Sequence, residues 1–299
     1  MVQIYTSPEQ PTKLRDSCII VGDSRKSLQN LPDGTFQCVV TSPPYWGLRD
    51  YGVDDQIGAE LQLDDYINNL VDVFNEVWRV LRDDGLLWLN IGDSYTSGNR
   101  KYRAPDRKTD SKNNVRAMSY RPATPEGLKP KDLIGVPWRA AFALQQAGWY
   151  LRSDIVWYKP NCLPESVKDR PTKSHEYIFL LSKSDSYYYD AKSIMEVSET
   201  GKPRNKRTIW SVNTQAFPGA HFATFPTELI LPCVKSSSRP NDFVLDPFFG
   251  SATVGVVSKM LGRRYCGVEL SPEYAHIAQK RLAQQVIEDG DFSSNKRYR

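Results

Sequence analysis

The chain has 299 residues, 40% of them hydrophobic and 25% charged, with a formal net charge of +4. That is enough apolar material for one substantial core with an inserted lobe, which excludes a disordered or fibrous chain. No apolar run is long enough to span a bilayer and no charged n-region opens the sequence, so no membrane partner and no secretory signal are expected, and a cytoplasmic protein is the default. The five cysteines (Cys18, Cys38, Cys162, Cys233, Cys266) are scattered, without a CxxC pair or a histidine at ligand spacing, so neither a metal nor a disulfide framework is expected.

The first strand expected is Cys18-Ile19-Ile20-Val21, which runs into Gly22-Asp23. A second, over 37 to 41, runs into Thr41-Ser42-Pro43-Pro44-Tyr45-Trp46. Two consecutive prolines fix φ twice and remove two donors, leaving the carbonyls of Ser42 and Pro43 as outward acceptors. Tyr45 adds a flat face beside them. A planar group carrying an amine would stack on Tyr45 while the amine donates to Ser42 Oγ and the Pro43 carbonyl, which describes a pocket for an unstacked nucleobase. The same residues also suit an ordinary strand-to-loop turn.

A helix is expected near 64 to 82, where Tyr66, Leu70, Val73, Phe74, Val77 and Leu81 recur at helical spacing. A strand near 86 to 91 leads to Asp93, at the rim of the pocket or in a surface turn. From Arg100 to Lys131 ten basic residues face three acids, a net +7 with little apolar periodicity. The segment 94 to 131 therefore reads as a long mobile loop suited to a DNA backbone, with Arg100, Lys101, Arg103 and Arg107 as candidate phosphate contacts and a plain solvated loop as the alternative. A helix near 132 to 147 and strands near 150 to 157 and 176 to 182 follow. A second basic cluster, Lys202, Arg204, Lys206 and Arg207, precedes Trp210, and 191 to 220 is expected to be a target-recognition insert.

After a helix near 226 to 237 comes the second informative stretch, a strand at 242 to 246, a small-residue turn at Gly250-Ser251, a helix at 251 to 261 and a strand at 264 to 268. Gly250 and Ser251 allow close approach of a ligand, and a helix N-terminus favours a carboxylate or phosphate. Glu269 stands 23 residues after Asp246, the spacing at which an acid takes ribose hydroxyls in Rossmann-like units. Ser271-Pro272 starts a last helix to about 287, with serine as cap and proline at the first helical position. Alternating strands and helices argue for one doubly wound domain over 1 to 299, with its cofactor half at 222 to 285.

With the Ser-Pro-Pro-Tyr corner preceding the glycine turn, most of the chain resembles the S-adenosylmethionine-dependent DNA amino-methyltransferases of the β arrangement. The resemblance implies an α/β, Rossmann-like class I methyltransferase fold, a mixed and mostly parallel seven-stranded sheet with helices on both faces. It implies catalysis at Ser42, Pro43, Pro44 and Tyr45. It implies a cofactor, S-adenosyl-L-methionine, held by Asp246, Phe248, Gly250, Ser251, Thr253 and Glu269, with Asp23 at the adenine and Phe222 and Thr224, within His221 to Pro226, as an additional element. Serine at 42 matches the N4-cytosine enzymes, where the N6-adenine enzymes carry Asp or Asn. The partner implied is double-stranded DNA within a restriction-modification system, a cognate endonuclease acting separately. The rival readings are an N6-adenine enzyme and a non-catalytic nucleic-acid-binding protein of the same fold.

Other pairs are weighed against this. Pro232-Cys233 resembles the nucleophile of cytosine-C5 methyltransferases, but its apolar neighbours Leu229, Ile230, Leu231 and Val234 favour core packing. His175-Glu176 reads as a base with its orienter or, better, since it opens a strand, as a structural or DNA-facing histidine. Trp157-Tyr158-Lys159-Pro160-Asn161 resembles a family segment near the base pocket and is given a supporting role.

Overall fold

A computed structural model describes residues 2–9, 12–97, 116–118, 122–215 and 225–291. Nine strands form one sheet: Gln3–Thr6 (β1), Cys18–Val21 (β2), Phe36–Thr41 (β3), Leu81–Ile91 (β4), Tyr150–Tyr158 (β5), His175–Ser182 (β6), Ile209–Ser211 (β7), Phe243–Asp246 (β8) and Arg264–Glu269 (β9). Their order is β1-β2-β9-β8-β3-β4-β6-β5-β7. β6 runs against β4 and β5, and the remaining pairings are parallel. Seven of these strands are those the sequence marks. β1 and β7 extend the sheet at its two edges, so the expected seven become nine, and residues 209–211 of the segment read as an insert belong to the main sheet. Trp210 holds β7 there, buried with its ring centroid 6.1 Å from that of Trp88.

All six residues of β3 are buried because helices cover both faces of the sheet. Side chains alternate sides along a strand. Val39 joins a core with Leu63–Val80 (α2) and Val136–Gln146 (α3), whereas Cys38 and Val40 join one with Thr227–Ser237 (α4) and Thr253–Met260 (α5). α2 supplies Leu63, Tyr66, Ile67, Leu70, Val73, Phe74, Val77 and Val80, a single stripe at three- and four-residue intervals. Cys233 lies in the second core, its thiol pushed well above its usual range by burial, so Pro232-Cys233 is packing and offers no thiolate.

Two helix starts differ from expectation for local reasons. α3 begins at Val136 rather than 132 because Gly135 takes a left-handed conformation and the Asp93 carboxylate accepts from the backbone of Gly135 and Val136, both at 3.0 Å. Asp93 is thus a helix cap. α5 begins at Thr253 rather than Ser251 because Gly250 and Ala252 have φ of +50° and +66°, which puts the preceding residues in the turn.

β3 and β8 are neighbours, and their connections leave in opposite directions, β3 through α2 to β4 and β8 through α5 to β9. The loops beyond their carboxyl ends diverge there and open a crevice. Those loops carry the two motifs.

Candidate functional site

Thr41 closes β3 and Asp246 closes β8, and the threonine hydroxyl donates to Asp246 Oδ1 at 2.7 Å. Two motifs some 200 residues apart in sequence are thereby fixed side by side. They line one cavity of about 230 Å³, into which Ser42 to Tyr45 face from one wall and Asp23, Asp246, Phe248, Gly250, Ser251, Thr253 and Glu269 from the other.

On the second wall, Asp246 is 2% exposed and also accepts from the Phe248 amide at 3.0 Å. Burial pushes its carboxyl up to about 7, against the pull of these two donors. Glu269, at the tip of β9, accepts from the amides of Gly250 at 2.7 Å and Ser271 at 2.9 Å, which ties the glycine turn to the last strand; burial pushes it up to about 6. In Phe248-Phe249-Gly250 the two rings have different duties. Phe249 is buried on Gly267, where a Cβ would lie 2.1 Å from the ring, while Phe248 is half-buried at the cavity. Asp23 caps the short helix Ser24–Ser27 (α1) by accepting from the Arg25 amide, and pairs with the Arg25 guanidinium at 2.6 Å. Arg281, on the final helix Pro272–Asp291 (α6), donates to Ser251 O and Oγ and to Thr253 Oγ1 at 2.8 to 3.0 Å. Sequence reasoning missed Arg25 and Arg281, since neither belongs to a motif. Phe222 and Thr224 lie outside the described residues.

On the first wall, the Tyr66 hydroxyl donates to the Pro44 carbonyl at 2.9 Å. Among the described residues the Pro43 carbonyl accepts no hydrogen bond. Tyr45 donates to Glu176 Oε2 at 2.8 Å, its hydroxyl 3.5 Å from Ser42 Oγ. Asn90 Nδ2 donates to the same carboxylate oxygen at 3.2 Å, and the Lys159 ammonium pairs with the other. Lys159 also sits 4.2 Å from the Trp157 ring centroid. Desolvation, and then the charge of Glu176, raise the Tyr45 pKa well above its usual value, so the phenol stays protonated and donates. Gly92 makes room for it: a Cβ there would come within 2.7 Å of the Tyr45 ring.

His175 and Glu176 are not base and orienter. Consecutive strand residues face opposite sides, so Glu176 enters the cleft while His175 packs edge-on against Tyr177 at 5.4 Å, its pKa lowered by burial and then by Lys173. Glu176 is the cleft residue that sequence undervalued, its partners being Tyr45, Asn90 and Lys159.

Of the DNA-contact candidates, Arg100, Lys101, Arg103 and Arg107 fall outside the described residues. Arg204 and Arg207 pair with Glu196 at 2.9 and 3.3 Å, Lys206 stands 5.0 Å from the Trp210 ring centroid, and Lys202 is exposed. No described helix is long and apolar enough to cross a membrane.

A family model described as DNA methylase matches residues 36–280. The chain is 62% identical over 273 residues to the type II methyltransferase M.Cfr9I of Citrobacter freundii, covering 91% of this chain and 90% of that one. It is 60% identical over 276 residues to the type II methyltransferase M.SmaI of Serratia marcescens, covering 92% and 93%. Among solved structures, the PvuII DNA methyltransferase, described as cytosine-N4-specific, aligns with a TM-score of 0.67 at 20% identity over 96% of this chain and 92% of its own. A putative DNA modification methylase of Thermus thermophilus, solved with S-adenosyl-L-methionine, aligns with a TM-score of 0.63 at 26% identity over 90% and 95%.

Proposed function

Because the chain belongs to the DNA methylase family of N6 and N4 amino-methyltransferases, we propose that it methylates the N4 amine of a cytosine turned out of duplex DNA. S-adenosylmethionine is the donor, and the protein is the modification partner of a separately acting type II endonuclease. The observation that carries this reading is the Thr41–Asp246 hydrogen bond, which puts the acceptor corner and the cofactor turn on facing walls of one cavity. The N4 assignment rests on Ser42, which stands where the N6-adenine enzymes carry Asp or Asn.

The second wall suits the donor. Burial disfavours the charged forms of Asp246 and Glu269, and a ligand bearing a sulfonium, an ammonium and a ribose diol supplies both cationic charge and hydroxyl donors. Gly250, without a side chain, leaves the turn open to close approach. When bound, S-adenosylmethionine supplies a methyl group already activated by its sulfonium. The remaining work is done by the chain. The amine of cytosine is a poor nucleophile because its lone pair is delocalised into the ring. Accepting both amine protons, at Ser42 Oγ and the Pro43 carbonyl, draws the nitrogen toward tetrahedral geometry and aims the lone pair. Positioning of this kind lowers barriers by roughly 7–11 kcal/mol in the best intramolecular cases. Serine is too weak a base to take the proton outright, so it leaves to solvent after transfer.

Tyr45 stacks on the extruded base, a contact of about 1–3 kcal/mol that offsets much of an extrusion cost of a few kcal/mol. Glu176 fixes the edge of that ring. Tyr45→Ala should therefore slow single-turnover methylation by about 10- to 100-fold. Tyr45→Phe should lose only a few-fold, because the ring remains and Glu176 keeps Asn90 and Lys159. Equal losses would move the role from ring to hydroxyl. The function itself is tested by digesting DNA treated with the protein and methyl-labelled donor. Label is expected in N4-methyldeoxycytidine; label in N6-methyldeoxyadenosine would overturn the cytosine assignment, and label in 5-methyldeoxycytidine the amine mechanism.

A further inference from the structure

Residues 159–174 join β5 to β6 and start from the cleft, which Lys159 lines. Their ends are fixed by the pairing of Tyr158 with His175 and by the Lys159 amide, which donates to Ser174 O at 2.8 Å. Lys159 and Glu176, at the two ends, meet inside the cleft. On one flank Asn161 accepts from the Thr214 amide at 2.8 Å and donates to its carbonyl at 3.0 Å. On the other, the Arg170 guanidinium lies 3.7 Å from the Tyr95 ring centroid. Pro160, Pro164 and Pro171 restrict the backbone further.

At the start of this tethered segment, between Cys162 and Pro164, Leu163 is 85% exposed, more than any other large apolar side chain among the described residues. A lone exposed leucine is ordinary on a protein surface. This one is held on a proline-stiffened strap only four residues after Lys159, hence within roughly 14 Å along the chain of the acceptor corner's supports. The strap also suits a polyanion. Its two acids are neutralised, Glu165 by Arg170 at 2.6 Å and Asp169 by Lys131 at 2.7 Å, and Lys168 is exposed.

We propose that Leu163 is a wedge that enters the duplex stack as the target base leaves it, with Lys168 on the adjoining phosphates. The inference rests on the reading above that the substrate is a base extruded from duplex DNA. Extrusion leaves an apolar gap between neighbouring base pairs, and an apolar side chain inserted there restores contact and delays the return of the base. Leu163 acts on the position of the base and touches no reacting atom.

The test begins with sequencing of methylated DNA to map the modified site. Synthetic duplexes then carry that site with the target base either paired or opposite an abasic position. Leu163→Ala should methylate the paired duplex about tenfold more slowly than the wild type in single turnover, as loss of a wedge predicts. The deficit should shrink to about twofold or less where the base has no partner to leave, and Leu163→Met should restore the paired rate. Donor affinity should not change. With the wild type active, equal rates on the paired duplex, or the same deficit on both duplexes, would overturn the wedge alone. A shift of Leu163→Ala from dimer to monomer in sedimentation would assign Leu163 to a contact between copies and overturn it too. A wild type that labels no DNA would overturn the functional reading beneath it.

Discussion

Ser42→Ala should lower the single-turnover rate of methyl transfer by about two orders of magnitude, the scale seen when one preorganised hydrogen-bonding group is removed from a reacting centre. The donor should bind as before. The asymmetry follows from the cleft: Asp246 is held by Thr41 and Phe248, and Glu269 by Gly250 and Ser271, so no contact of the cofactor wall passes through Ser42. Folding should survive as well, since the corner is held by other residues: Tyr66 donates to the Pro44 carbonyl, and Trp46 is buried and donates to Glu60 O at 2.9 Å. On the proposed mechanism, what disappears is one of two acceptors for the amine protons. The Pro43 carbonyl alone can hold one N–H but cannot set the nitrogen's orientation. Rapid-quench measurement of the chemical step, paired with calorimetry of the donor, separates the two effects. A Ser42→Ala protein that turns over at the wild-type rate would show that the amine protons are accepted elsewhere.

The legible parts of this site were those whose chemistry is written in consecutive residues. The proline pair between Ser42 and Tyr45 fixes φ twice and removes two donors, which marks a stiff corner in the sequence itself. A buried strand ending in Asp246, a glycine turn and a strand ending in Glu269 dictate a ligand-facing βαβ unit. Burial on both faces made the central strands read as apolar runs. Glu176 escaped because its role comes from three partners, Tyr45, Asn90 and Lys159, brought in by three other segments, and a carboxylate at the start of a strand carries no local mark of that. Arg281 escaped for the same reason, reaching Ser251 and Thr253 from the last helix. The edge strands β1 and β7 are short and mostly exposed, so neither shows the apolar run of an inner strand. The start of α3 was misplaced because its cap, Asp93, comes from the end of β4 and not from the residues before the helix.

Affinity for S-adenosylmethionine should rise with pH between about 6 and 7, and Asp246→Asn should both weaken binding and flatten that rise. Without ligand, burial holds Asp246 at about 7 and Glu269 at about 6, against ordinary values of 3.8 and 4.5. A carboxyl whose folded value lies above its unfolded one favours the folded state while it is protonated. For Asp246 that stability is present below about 4 and is lost as pH rises toward 7; for Glu269 it is lost between 4.5 and about 6. The free protein should thus melt progressively lower across this window. Ligand works in the other direction: a cationic donor favours the ionised carboxylates, so binding releases protons at pH 6 to 7, and calorimetry in buffers of different ionisation heat should detect the release. Asn at 246 keeps an acceptor for Thr41 and Phe248 while removing the charge and its titration. The free variant should then melt at or above the wild type at pH 8, yet bind the donor about 10- to 100-fold more weakly, the range for losing one charged hydrogen-bond partner. Wild-type affinity that is flat from pH 6 to 8, or a variant that binds as tightly as the wild type, would remove Asp246 from the donor site and leave its buried charge a matter of the fold alone.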